Sequence, residues 1–524
     1  MALHPESAPL DEPPTPQVET EDHDAPAYYP PAPPHELFDI STTVDPSYII
    51  SLIRKLIPAD SRNDPNSPGG IVVVHASDAP IEESTTVMSN ESVAMDFVRG
   101  FDKSASQGGA DEDLCSKSVN YDVSVWEDAW EECGCVLWDL AASITHAELM
   151  VENLVLEVLL ANLMVSQSMR ATEICLGIIG NLACHEVPMK QIVSTNGLIQ
   201  IIVEKLFLDD TQCLCETFRL LTLGLQSSGC IAWAEALQSE RVMCRFLWIT
   251  ENTLNLQLIE KSVGLVLALL ESQQEVLHVL LPPLMKLGLP SLLVNLLSYE
   301  VNKLTCEKIS ERYSVLDIIL RAIEALSVQD GHSQEICLNK ELFELVCNLV
   351  KLPDKVEVAN SCVTAVVLIA NILSDVADLA SEIWQDLPFL RGLMDIFPFT
   401  LDDFEAQSAL WSVIARLLVR VQEDKMSPSD LHQLVSILVS GNDYIEDGLL
   451  EHRLGDSHQE QESLTPSGPR STAITIALKS IINILNHWTA SKDYGEEDNV
   501  MGEYHANCAN VNRLLDFCCK YTGE

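Results

Sequence analysis

From about Val123 to the C-terminus, apolar residues recur at steps of three and four. Short breaks such as Leu208-Asp209-Asp210-Thr211 and Leu352-Pro353-Asp354 divide the pattern into segments of roughly 10 to 18 residues, a usual helix length. No stretch of any length alternates in the two-residue period of a half-buried strand. Some 400 residues of this texture are too many for one simple bundle. They suit a stack in which each helical unit buries its apolar stripe on the next. The expected fold class is therefore all-α, an armadillo/HEAT-like right-handed α-solenoid.

Internal repetition supports this reading. Cys175-Leu176-Gly177-Ile178-Ile179-Gly180-Asn181-Leu182-Ala183 is apolar all round and predicts a helix buried on most sides. Some ten residues on, Asn196-Gly197 supplies a turn, and an amphipathic helix starts again at Leu198. The pair resembles the junction between armadillo repeats, where a third helix ends in Asn-Leu. The pattern recurs at Leu221-Thr222-Leu223, at Leu368 to Leu373 and at Ile481 to Leu485. Leu284 to Leu297 is expected as another first-helix start. Asn181 to Thr222 is 41 residues and Asn371 to Ala415 is 44, both within the armadillo/HEAT period. Ala415 to Asn483 is 68 residues. The excess is assigned to residues 441–470, an acidic, aperiodic inserted loop.

The N-terminal part reads differently. Residues 1–46 hold eleven Pro and ten acids, and no Lys or Arg precedes Arg54. Such a segment buries too little apolar area to offset chain entropy, so an acidic, Pro-rich, disordered N-terminus is expected. Residues 47–58 predict a short amphipathic helix ended by Pro58, and residues 59–120 a linker, with one short strand at Ile71 to Val74. The repeat domain then spans residues 121–524.

Charge narrows the partners. Lys+Arg number 31 against 78 Asp+Glu, a formal net charge of −47. A surface this acidic repels phosphate, which argues against nucleic acid and against anionic membranes. About −27 of the charge falls on the predicted helices themselves. The partners expected are proteins with basic segments. The first residues lack the basic start and apolar run of a signal peptide, and no uninterrupted apolar run reaches the ~18 residues of a membrane span. The sixteen cysteines are scattered through apolar runs, as at Cys175, Cys184, Cys347 and Cys362, and read as free thiols in a reducing compartment. There is no phosphate-binding loop, no G-x-S-x-G, no H-E-x-x-H and no C-x-x-C pair. An enzyme is not expected, and neither a cofactor nor a metal is implied. Nothing in the sequence sets an oligomeric state.

Two sets of residues are candidates for binding partners. An armadillo Asn at the end of the inner helix presents both a donor and an acceptor to the backbone of an extended ligand. Asn181, Asn371 and Asn483 match that position. The alternative is that each amide bonds the neighbouring repeat. Importin-α-like adaptors place a Trp four residues before such an Asn, but here those positions are Gly177, Val367 and Lys479. Trp411 has Ala415 at its partner position. The second set is Trp126 and Trp130, i,i+4 neighbours among five acids, followed by Trp138. They could anchor a basic partner or seal the end of the stack. Thr15-Pro16, Ser67-Pro68, Ser427-Pro428 and Thr465-Pro466 are candidate proline-directed phosphorylation sites.

The order of these pieces resembles the serum amyloid A-like protein 1 family. The resemblance rests on the helix after Asp39-Ile40-Ser41-Thr42-Thr43-Val44, on Trp138-Asp139, and most specifically on Arg170 to Cys184. It continues through Leu206 to Asp210 and Glu216 to Thr222, covering residues 37–60 and 120–240. It implies an armadillo-like helical protein, mainly nuclear with the cytoplasm as a second location, associated with control of cell proliferation and without known enzymatic activity. The family offers no catalytic or cofactor residues to carry over. The function expected is a protein-interaction scaffold or adaptor. The alternative is a karyopherin-like transport adaptor for basic peptides.

Overall fold

The computed structural model describes residues 44–58, 116–307, 309–447, 449, 469–492 and 508–523. The expected disordered tail up to residue 43, the linker from 59 to 115 with its strand, and the loop from 450 to 468 lie outside the described residues.

Among the described residues there is no strand, and the chain is an armadillo-like all-α solenoid. Helix α1 (Pro46–Lys55) is followed by α2 (Ser116–Leu140) and then by three-helix repeats. These are α3 (Ile144–Glu152), α4 (Val155–Val165) and α5 (Met169–Leu182); α6 (Glu186–Ser194), α7 (Leu198–Glu204) and α8 (Thr211–Gln226); and α9 (Cys230–Leu237), α10 (Glu240–Asn252) and α11 (Leu256–Leu270). A longer repeat follows, α12 (Gln274–Lys286), α13 (Leu289–Glu307) and α14 (Tyr313–Ser327). Then come α15 (Ser333–Cys337), α16 (Lys340–Val350) and α17 (Ala359–Asp375), and α18 (Ala380–Ile383), α19 (Leu387–Met394) and α20 (Phe404–Leu418). After α21 (Pro428–Ser440), the helices Pro469–Lys492 and Cys508–Thr522 close the chain. The third helices α2, α5, α8, α11, α14, α17 and α20 each pack on the next, and Pro469–Lys492 continues the row.

Local chemistry sets the helix starts. Ser168, Asp210, Asn255 and Asp403 accept a backbone N–H at the starts of α5, α8, α11 and α20. Ser239, Asn339, Asp386 and Ser427 do the same for α10, α16, α19 and α21. Each cap satisfies an otherwise orphaned donor and contributes about 1 kcal/mol. Ser427, one of the Ser-Pro candidates, thus has a capping role.

Two expectations need correction. Leu284 to Leu297 is the junction of a first and a second helix, not a first-helix start: α12 ends at Lys286, Gly288 turns at φ 94°, and α13 begins at Leu289. Apolar spacing is the same on both kinds of helix, so periodicity alone could not separate them. The inserted loop does not start at 441, because residues 442–447 are helical and Ile445 and Leu449 are fully buried. Helix α1, the expected short amphipathic helix, joins the stack. It packs on α2 and α3 and buries Ile49, Leu52, Ile53 and Leu56.

The thiols follow their burial. Among the described residues every cysteine is free. Burial pushes Cys175, Cys347 and Cys518 up to about 12, where a thiol is inert at neutral pH. The segment Val356–Asp375 is long and apolar enough to cross a membrane by length and composition alone. Here it contains α17, which is packed between α14 and α20 with Cys362, Val366, Ile369 and Leu373 fully buried.

Strain marks one turn. The chain between first and second helices adopts positive φ at Gly197 (80°) and Gly288 (94°), but the first repeat does so at Leu154 (63°). A left-handed Leu costs roughly 1–2 kcal/mol that Gly does not. The Leu154 side chain is 62% exposed, so little packing offsets this cost. Leu154→Gly is therefore expected to raise the unfolding free energy by about 1 kcal/mol, measured by urea denaturation; a loss of stability would contradict the strain assignment.

Candidate functional site

A ligand-binding face on a helical stack must come from the side of the third helices that does not pack on another layer. On α14 the partly exposed residues are Ser314, Asp317, Ile318, Arg321, Glu324 and Ala325. Their spacing of three and four defines one stripe. On α17 the corresponding stripe is Val363, Thr364, Val367 and Asn371, and on α20 it includes Glu405, Ser408, Ala409 and Ser412. On α5 and α8 it includes Glu173, Asn181, Glu216 and Arg219.

The asparagines do not form a free ladder. The Asn181 Nδ2 donates to Trp138 O at 2.8 Å, and its Oδ1 accepts from Arg219 Nη1 at 3.2 Å. Arg219 also donates to Gly177 O and to Glu216. Asn181 thus holds α2, α5 and α8 together. The Asn371 Nδ2 donates to Ser327 Oγ at 3.0 Å, tying α17 to α14. Asn483 is exposed on the Pro469–Lys492 helix, far along the row.

Nor does Trp130 stand open to a partner. Trp130 is 7% exposed, and its Nε1 donates to Leu56 O at 3.4 Å, beneath the end of α1. Asn162 Nδ2 donates to the same carbonyl at 2.8 Å. Trp138 is half-buried against Gly177. A Cβ at Gly177 would lie 2.1 Å from the Trp138 ring, and one at Gly180 would lie 2.2 Å from the Arg219 guanidinium. The two glycines of the Gly-Ile-Ile-Gly-Asn stretch are therefore seats for a Trp and an Arg from the flanking repeats. Trp126 lies in α2, but its side chain is outside the described residues.

A cavity of about 350 Å³ opens beside Trp130, Asn162, Ser168 and Arg170. Its cation is engaged: Arg170 bonds Glu131 at 2.7 Å and Glu173 at 2.8 Å. This pairing arranges no nucleophile beside a base. Among the described residues, no group of three His, Cys, Asp or Glu could hold a metal ion.

The acids of the third helices were not singled out in the sequence. Glu173, Glu216, Glu260 and Asp317 stand at the fifth or sixth residue of four successive third helices. Aligning the third helices in register would have revealed them. Their environments differ. Glu173 is paired with Arg170, and Glu216 with Arg219 at 2.6 Å. Asp317 Oδ1 is buried without a hydrogen-bond partner. Burial raises its carboxyl above the ordinary range, against a smaller opposing effect of Arg321. Glu324 is raised by burial and by Glu405, with smaller additions from Glu271 and Asp403 and an opposing effect of Arg321. Arg321, the cation on this stripe of α14, meets Glu271 only at 3.7 Å. The stretch from α14 to α20 thus gathers carboxylates that repel one another.

Helix order and inter-repeat bonding define the class, an armadillo-like helical repeat protein. Over part of its length the chain is SAAL1-like. It is 30% identical to Protein saal1 of Danio rerio over 152 residues, 29% of this chain and 32% of that protein. It is 30% identical to Protein SAAL1 of Homo sapiens over 129 residues, 24% of this chain and 27% of that protein. The matched stretch therefore spans about a third or less of these curated relatives. No family model matches the chain. Similar solved structures include a designed armadillo repeat protein, 13% identical, with a TM-score of 0.38 over 46% of this chain and 93% of that one. Another is a computationally designed armadillo repeat protein for modular peptide recognition, 14% identical, with a TM-score of 0.37 over 45% of this chain and 92% of that one.

Two substitutions test the placement of Asn181. Asn181→Ala removes a donor and an acceptor from a seam and is expected to cost about 1–3 kcal/mol. Gly177→Ala drives a methyl into Trp138 and is expected to cost a similar ~1–3 kcal/mol. Both are read as lower thermal midpoints; an unchanged midpoint for Asn181→Ala would mean that the amide does not hold the stack.

Proposed function

We propose that the chain is a non-enzymatic protein-interaction scaffold whose row of third helices takes up partners carrying basic segments. The observation that carries this reading is the carboxylate stretch on α14, where Asp317 Oδ1 lacks a donor and Glu324 is crowded by other acids. A bound Lys or Arg beside Glu324 and Glu405 would relieve that repulsion. The formal net charge of −47 favours the same partners at long range. A karyopherin-like adaptor for extended peptides has less support. Gly177, Val367 and Lys479 stand where aromatic walls would be needed, and Asn181 is bonded on both sides. A nuclear setting and a role in cell proliferation complete the proposal. The resemblance at residues 37–60 and 120–240 supports both, and a fluorescent fusion excluded from nuclei would remove the first.

Binding of a Lys/Arg-rich peptide to the full chain tests the main reading. Affinity is expected to fall steeply as salt rises from about 0.01 M to 0.15 M, as the screening length shrinks from ~30 Å to ~8 Å. The double substitution Asp317→Asn, Glu324→Gln is expected to weaken it about tenfold, the loss of one charge-assisted contact. No binding at low salt, or binding indifferent to both salt and substitution, would refute it.

A further inference from the structure

An extended peptide and a helical one make different demands on this surface. An extended chain exposes its own N–H and C=O groups and needs polar partners at regular intervals along the groove. On α5 and α17 the amides that could serve are engaged. Asn181 is bonded to Trp138 and Arg219, and the Asn371 Nδ2 donates to Ser327. Leu223 of α8, Ala325 of α14 and Ala415 of α20 stand at or next to the corresponding turn of the other third helices. A helix satisfies its backbone internally and asks only for side-chain complementarity.

The stretch from α14 to α20 offers that complementarity. Val363, Thr364 and Val367 of α17 form a half-buried, largely apolar floor. On one side stands α14, with Asp317, Ile318 and Glu324, and with Arg321 between the two acids. On the other stands α20, with Glu405 and the small residues Ser408 and Ala409. Ile318 itself lies over Gly264 of α11, where even an added Cβ would come within 3.4 Å of it. Apolar side chains on the floor with carboxylates on both flanks match an amphipathic helix with one apolar stripe and basic residues beside it.

We infer that the partner segment seated across α14, α17 and α20 is a basic amphipathic α-helix rather than an extended peptide. This rests on the proposed acidic-face reading and sharpens it. The partner orders on binding if it is disordered alone, and its basic residues recur at steps of three and four rather than two.

The test uses the full chain and two peptides of about 18 residues, long enough for five helical turns. One carries Leu along one stripe and Arg on its flanks. The other has the same composition and charge, with two central residues exchanged for Pro. The helix-forming peptide is expected to bind at least tenfold more tightly, with a gain of helical circular dichroism on mixing. Val367→Asp, on the floor, is expected to abolish the difference, while Asn181→Ala leaves it intact. Equal or tighter binding of the Pro peptide, still lowered by Asp317→Asn, would overturn the helix while leaving a basic partner in place. Failure of both peptides to bind at low salt would overturn both readings. An unchanged far-ultraviolet spectrum and thermal midpoint of the Val367→Asp protein separate lost binding from lost folding. If that protein unfolds, Thr364→Glu on the same floor serves instead.

Discussion

The stack depends on one recurring interaction, a long polar side chain that reaches back one repeat to a backbone carbonyl. Asn181 reaches Trp138, Lys205 reaches Leu163, Arg219 reaches Gly177, Arg416 reaches Leu373 and Arg420 reaches Ala377. The separations are 43, 42, 42, 43 and 43 residues, so the bonds display the repeat period directly. Where the fourth repeat is longer, Gln329 reaches Leu270 over 59 residues. Most of these carbonyls lie at or near helix C-termini, where the last turn lacks intrahelical donors and carries partial negative charge. A cation there satisfies an orphaned acceptor and complements the dipole at once. Apolar burial between third helices supplies most of the energy, but it tolerates sliding. The carbonyl bonds are directional, so they set the register.

This use of cations shapes the charge of the exposed face. The chain has 31 Lys+Arg, and several of them are drawn into seams. Arg219, Arg416 and Arg420 donate to backbone groups of the preceding repeat. On α5 and α8, Arg170 and Arg219 pair with Glu173 and Glu216 of their own helices. On α14, Arg321 opposes the effect of burial on Asp317 and Glu324 without bonding either, and Glu324 faces Glu405. Glu300 shows the contrasting case. It is 2% exposed, yet two hydrogen bonds from Arg312 accommodate its charge.

The architecture was legible because solenoid folding is governed by local patterns repeated. Steps of three and four gave the helices, and the spacings 41 and 44 gave the repeat. Helix class within a repeat was less legible, since α12 and α13 carry the same apolar spacing as a first helix would. The docking of α1 was invisible, because its partners Trp130 and Asn162 lie 74 and 106 residues away from Leu56. Which of the two readings holds for Asn181 and Trp130 was illegible for a related reason. Asn181 and Trp130 are distinctive as letters, but whether a polar group is free depends on what the next repeat brings to it. Arg219 reaches Asn181 from 38 residues on, and no local window contains both.

This explains why the most motif-like segment is the least available to a partner. A seam between repeats demands fixed geometry: Gly177 must admit Trp138, Gly180 must admit Arg219, and Asn181 must present both ends of its amide. Such demands leave a dense signature from Cys175 to Ala183. A face that selects a helix by charge and apolar fit demands less of each position. Asp or Glu will serve at 317 and 324, and any small apolar residue at 363 and 367. Recognition of that kind writes only a loose pattern, an acid near the fifth residue of one third helix and none on the next. In a stack whose register is set by polar side chains, a binding face is therefore to be sought where such side chains are left without a partner, not where the sequence is most distinctive.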